Sequence, residues 1–103
     1  MVLPALIQSK SQFLQMLASA KFRTMEKLAF DPNRGMLKVI LTQIEFIENC
    51  VQNGARIPTV DESAQITIGA IAVKNLQEED QEYATWLSEI SYAFRKNLKY
   101  LPS

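Results

Sequence analysis

The sequence predicts an all-α fold, an antiparallel bundle of about four helices. Apolar residues recur at steps of three and four along most of the chain, which is helical periodicity. Short segments with proline, glycine or asparagine separate the periodic stretches, and short links favour antiparallel neighbours. The chain has 103 residues, 48% of them hydrophobic and 21% charged, which is typical of one globular domain. We therefore expect a single helical domain over residues 1–103.

The first predicted helix covers residues 4–29. Ser9, Ser11 and the turn at Pro4 are alternative starting points. Its polar positions are mostly basic, and its apolar residues repeat at helical spacing: Leu14, Leu17, Ala18, Phe22, Met25 and Leu28. A proline- and glycine-containing segment, 31–35, ends this helix.

The second predicted helix follows that segment and runs to about Gln52. Asp31 can cap it, with Pro32 as its first residue. Asn53-Gly54 is a typical C-terminal stop, because glycine accepts the left-handed conformation. Its apolar stripe, at steps of 3, 4, 3 and 4, consists of Leu37, Ile40, Ile44, Ile47 and Val51. Cys50 lies beside this stripe, and we expect it to be buried and inert.

The third segment is ambiguous between helix and strand. Residues 66–68 and 71–73 are rich in β-branched side chains, which favour a strand. Thr59 and Glu62, however, fit a capping box, and a lone strand would have no partner in this sequence. We therefore predict a helix over 62–76.

Glycine is unfavourable inside that helix, where Gly69 costs roughly 1 kcal/mol relative to alanine. Ala70 and Ala72 nearby are also small. This pattern indicates close helix packing, either within the bundle or against a partner, and internal packing is the favoured interpretation.

The fourth predicted helix opens with the acids 78–80 and closes with basic residues. Its apolar positions recur at steps of 4, 3, 4 and 4 and are Tyr83, Leu87, Ile90, Phe94 and Leu98. The residues predicted to form the core of the bundle are Leu37, Ile40, Ile44, Ile47, Leu87, Ile90 and Phe94.

Composition argues against several classes of function. The chain has no histidine and one cysteine, Cys50, so the commonest general base and the usual zinc ligands are missing. We expect no catalytic activity, no cofactor and no metal. The formal net charge is zero, which does not favour nucleic acid, and no apolar run approaches the roughly 20 residues of a membrane span. A single cysteine and the lack of a signal-peptide pattern predict a cytoplasmic protein.

The charges are unevenly distributed although they balance overall. Residues 61–89 carry seven acids and one base, a net charge of −6, whereas residues 1–30 carry four bases and one acid, a net charge of +3. One interpretation is an acidic surface for a basic partner. The other is compensation of the helix dipole, which favours acids in a first turn and bases in a last turn.

Two stretches of the sequence resemble a known family. Residues 66–74, Ile-Thr-Ile-Gly-Ala-Ile-Ala-Val-Lys, resemble the signature of small helical immunity proteins that protect bacteria from type VI secretion toxins acting through NAD chemistry. Residues 43–47, Gln-Ile-Glu-Phe-Ile, resemble the second helix of that family. The resemblance covers residues 36–101 and does not include the first helix. It departs from the family after Lys74, where Asn75 replaces an expected acid.

This resemblance implies a protein that binds a cognate toxin, an NAD(P)-glycohydrolase or ADP-ribosyl-transferring enzyme, and blocks its active site. The alternative is a helical adaptor or secretion chaperone for an effector. The acids that cluster near the family-like stretch, with Trp86 as a possible hot spot, predict the binding surface. Its predicted residues are Glu45, Glu48, Asp61, Glu62, Lys74, Glu78, Glu79, Asp80, Glu82 and Trp86.

Overall fold

The computed structural model describes residue 7, residues 9–52 and residues 66–97, and within them the chain forms helices and no strand. Two of these helices continue into a wider π-helical turn. Helix α1 is Lys10–Phe30, α2 is Gly35–Gln52, α3 is Ile68–Ile71 followed by π-helical Ala72–Leu76, and α4 is Gln81–Tyr92 followed by π-helical Ala93–Asn97. Helix α1 packs against α2 and α4, and α3 packs against α4. The all-α prediction is confirmed.

Local capping sets both ends of α1. Ser9 is the N-cap, and its Oγ accepts a hydrogen bond from the backbone amide of Gln12 at 3.1 Å. The helix therefore begins at Lys10, and Ser9 is the one of the three alternative starting points that the structure confirms. At the other end, the amide of Asp31 donates to the carbonyl of Lys27, so Asp31 closes α1 instead of capping α2.

Of the apolar residues predicted to repeat along α1, only Leu17 is among the residues that the helix fully buries. Its buried residues are Phe13, Leu17, Ala20 and Thr24. Thr24 donates a hydrogen bond to the carbonyl of Ala20 and shares another with the hydroxyl of Tyr83, both within the core. Ala20 and Thr24 are both fully buried.

The predicted core of α2 and α4 is confirmed. All seven predicted residues are 0–2% exposed. Phe46 and Phe94 meet edge to face with ring centroids 6.3 Å apart, a favourable geometry for aromatic pairs. Cys50 is also buried, as expected.

Helix α3 confirms the helical prediction for residues 68–76 and excludes a strand there. Residues 66 and 67 are not helical, so the prediction was wrong at those two positions. The cap at this end comes from outside the segment: the Oε1 atom of Gln43 accepts hydrogen bonds from the amides of Thr67 and Ile68 at 2.8 and 3.1 Å. The predicted capping box at residues 59–62 lies outside the described residues.

Gly69 packs inside the bundle, as the favoured interpretation predicted. A β-carbon at this position would lie 3.1 Å from both Cβ and Oγ of Ser91 on α4. The absence of a side chain at Gly69 therefore sets how closely α3 approaches α4.

Candidate functional site

Acidic residues at the start of α4 contact the basic side of α1. We call Glu79, Asp80 and Glu82 the acidic run. The guanidinium of Arg23 binds Asp80 at 2.7 Å and Glu82 at 2.9 Å. Lys27 adds contacts from its Nζ to Glu79 at 3.2 Å and to Asp80 at 3.3 Å. Two cations of the basic region thus pair with three acids of the acidic region where α1 meets the start of α4.

Arg34 and Glu79 form the most geometrically specific pair in this network. Two nitrogens of the guanidinium donate to the two carboxylate oxygens, at 2.6 and 3.0 Å, the bidentate arrangement that gives strong charge-assisted hydrogen bonds. The hydrogen bond from Arg34 lowers the pKa of Glu79, and Lys27 acts in the same direction.

Asp80 also supports the helix-dipole interpretation of the acidic run. It is the N-cap of α4, and its Oδ1 accepts a hydrogen bond from the amide of Tyr83 at 3.1 Å. Burial alone would raise the pKa of Asp80, but this backbone hydrogen bond and the one from Arg23 outweigh it, and the pKa is lowered. A negative charge at a helix N-terminus is stabilising, so these acids contribute to the fold.

The other predicted surface residues are scattered over the described structure. Glu48 pairs with Lys21 of α1 at 3.0 Å. Glu45, Lys74 and Glu78 are exposed. The two remaining acids, at positions 61 and 62, lie outside the described residues.

Trp86 is half-buried at the edge of α4, beside α1. The guanidinium of Arg23 lies over its ring at 4.7 Å from the centroid, within the range of a cation–π interaction. Because Arg23 is itself held by Asp80 and Glu82, one face of the indole is fixed in place.

An exposed apolar surface on α1 was not predicted as a binding site. We call it the α1 apolar face and define it as Leu14, Ala18, Phe22 and Met25. Phe22 is 65% exposed and Met25 52% exposed. The sequence did contain a signal, because α1 has apolar residues on more than one side, whereas a surface helix needs only one apolar stripe.

Two shallow grooves lie beside this face. The first, of about 420 Å³, is lined by Ala18, Ser19, Phe22, Arg23, Glu26 and Trp86. The second, of about 450 Å³, is lined by Glu26, Lys27, Phe30, Asp31, Arg34 and Glu79. Each groove has one exposed phenylalanine, and the two grooves meet at Glu26.

The two family-like stretches contact each other through Gln43. Besides accepting from the two backbone amides at the start of α3, its Nε2 donates to Oγ1 of Thr67 at 2.8 Å. The glutamine of residues 43–47 therefore positions the first turn of residues 66–74.

Among the described residues, no cluster of three or more potential metal-binding side chains occurs. None of the helices in the described part of the chain is long and apolar enough to cross a membrane.

A comparison with family models assigns the helical domain to the class of immunity proteins. The Tsi6 family model matches residues 12–96. The chain therefore belongs to the Tsi6 family, the type VI secretion immunity proteins for an NAD-glycohydrolase toxin. The match begins within α1, so the first helix belongs to the family region although it showed no resemblance in the sequence. Comparisons with curated proteins and with solved structures find no match.

Proposed function

We propose that this chain binds a cognate toxin in the cytoplasm and blocks the active site of that toxin. The toxin consumes NAD, either by hydrolysing it or by transferring ADP-ribose. The observation that carries the proposal is the match to the immunity family over residues 12–96. Inhibition by contact needs no reactive group on the inhibitor, which agrees with a chain that lacks histidine.

Acidic side chains suit such a role, because a cleft that binds a phosphate-bearing substrate is usually basic and electrostatic complementarity speeds association. Glu45 and Glu78 are exposed and form no ion pair within the described residues, and Lys74 is exposed as well. The paired acids Glu79 and Glu82 keep part of their surface accessible, at 37% and 65% of the side chain. This exposure supports the proposal that the predicted acidic residues contact the toxin.

Co-expression with the protein encoded by the neighbouring gene tests this function. An immunity protein restores growth to cells that make the toxin. A secretion chaperone or adaptor raises the level or export of the effector without sparing the cell. Failure to restore growth, together with no binding between the purified proteins, would contradict the proposal.

A further inference from the structure

We propose that the α1 apolar face and the groove beside Trp86 dock onto the toxin, through a toxin segment that carries an apolar side chain next to a lysine or arginine. This inference rests on the proposed function and names the surface that performs it. It differs from the acidic surface predicted from the sequence, because the main contact is apolar and comes from α1.

The first argument is the surplus of apolar side chains on α1. Phe13 and Leu17 already bury one side of the helix in the core, yet Leu14, Phe22 and Met25 lie exposed on another side. Contiguous exposed apolar patches on a soluble domain mark interaction sites. With a rise of 1.5 Å per residue, positions 14 to 25 extend over about 16 Å, a length that suits the centre of a protein–protein interface.

The second argument is that the groove beside this face is rigid. Trp86 lies under the guanidinium of Arg23, and that guanidinium donates hydrogen bonds to Asp80 and Glu82. Tryptophan and arginine are enriched at binding hot spots. A surface that is already ordered before binding loses less conformational entropy when a partner arrives.

The third argument concerns the charge that the partner must carry. Glu26 lies where the two grooves meet, is exposed, and forms no ion pair within the described residues. The neighbouring acids Glu79 and Asp80, in contrast, are paired with cations of α1 and the segment after it. A basic side chain on the toxin would therefore pair with Glu26 while an adjacent apolar side chain enters the groove.

The test uses the full-length chain and the purified toxin domain encoded by the neighbouring gene. Phe22→Glu and Met25→Glu place a charge on the α1 apolar face. Val39→Glu is the matched control, because Val39 is 47% exposed, belongs to α2 and lines neither of the two grooves. Binding kinetics, chemical unfolding and the molar mass of each free protein are measured for the wild type and all variants.

We expect Phe22→Glu and Met25→Glu to weaken toxin binding by about 30-fold or more, as for a hot-spot residue. Their unfolding midpoints should stay at the wild-type value, and Val39→Glu should bind like the wild type. Glu26→Gln should slow association and reduce its dependence on salt.

Three results would overturn the inference while leaving the immunity function standing. Wild-type affinity in Phe22→Glu and Met25→Glu would show that the toxin docks elsewhere. A free wild-type dimer that Phe22→Glu converts to monomer would show that a second copy occupies the face. A large loss of stability in both variants would show that the chain itself covers it. If the wild type neither binds nor protects, the proposed function fails and this inference fails with it.

Discussion

Replacing Gly69 by alanine should have two opposite effects of similar size on the free energy of unfolding. The structure indicates which of the two is larger. Alanine is favoured over glycine inside a helix by about 1 kcal/mol. The added methyl group, however, would lie 3.1 Å from both Cβ and Oγ of Ser91. The Oγ atom can rotate away, but the Cβ atom is fixed to the backbone of α4, so α3 would have to move outward by a few tenths of an ångström.

That movement disturbs well-packed neighbours of Gly69. Ile68 and Ala72 are fully buried on the same short helix, and overpacking a core of this kind costs about 1–3 kcal/mol. After subtracting the gain in helix propensity, Gly69→Ala should lower the free energy of unfolding by up to about 2 kcal/mol. Chemical denaturation with a fixed slope measures the change directly.

Gly35→Ala is the matched control for this experiment. Gly35 begins α2, and a β-carbon there would have no atom within 4 Å, so the same chemical change should be neutral or slightly stabilising. In addition, Ser91→Gly removes the obstructing atoms, and combining it with Gly69→Ala should recover part of the lost stability relative to the sum of the single changes. If Gly69→Ala stabilises the protein as much as Gly35→Ala does, the close approach of α3 to α4 is wrong.

Four further predictions follow from the core, the α3 cap and the acidic run. Ile44→Ala should lower the free energy of unfolding by about 2–5 kcal/mol, because the side chain of Ile44 is fully buried. A change below about 0.5 kcal/mol in urea unfolding would show that this side chain does not pack in the core. Gln43→Leu removes the acceptor for the amide of Ile68, so hydrogen exchange at that amide should become faster, and an unchanged rate would contradict the capping role. The lowered pKa values of Glu79 and Asp80 contribute stability that is fully present above the ordinary values of 4.5 and 3.8. This stability is lost as the pH falls through the lowered values. Unfolding measured from neutral to acidic pH should show the loss, and the double variant Glu79→Gln with Asp80→Asn should have a flatter pH dependence. Reversing both charges to lysine should destabilise the fold by opposing Arg34 and its neighbours, and unchanged toxin kinetics in that variant would exclude these two acids from the interface.

The local pattern of α2 and α4 was sufficient to predict their shared core. Each helix has a single apolar stripe, which includes Ile44 in α2 and Ile90 in α4. A helix with one apolar stripe has only one face that it can bury in the core. The family membership was also predicted, because residues 66–74 resemble the signature stretch of the family and residues 43–47 resemble its second helix.

The acidic run shows where a charge pattern stops being informative. The sequence shows that residues 61–89 are acidic. The positions of these charges along the chain could not reveal that Arg23 and Lys27, more than 50 residues earlier, would form ion pairs with Glu79 and Asp80. Ion pairs between helices depend on how those helices are placed side by side. That placement is set by packing and not by the spacing of the charges.

The sequence by itself determined that residues 10–29, within the predicted span 4–29, form a helix, since apolar residues recur there at three- and four-residue steps. Only the tertiary structure decided which side of that helix is buried. Phe22 remains exposed, whereas Thr24 is buried and meets the hydroxyl of Tyr83. The partner that selects the buried face is 59 residues away in the chain, and a pattern within one helix contains no information about it. The same limit applies to the start of α3, where the cap is supplied by Gln43 of another helix.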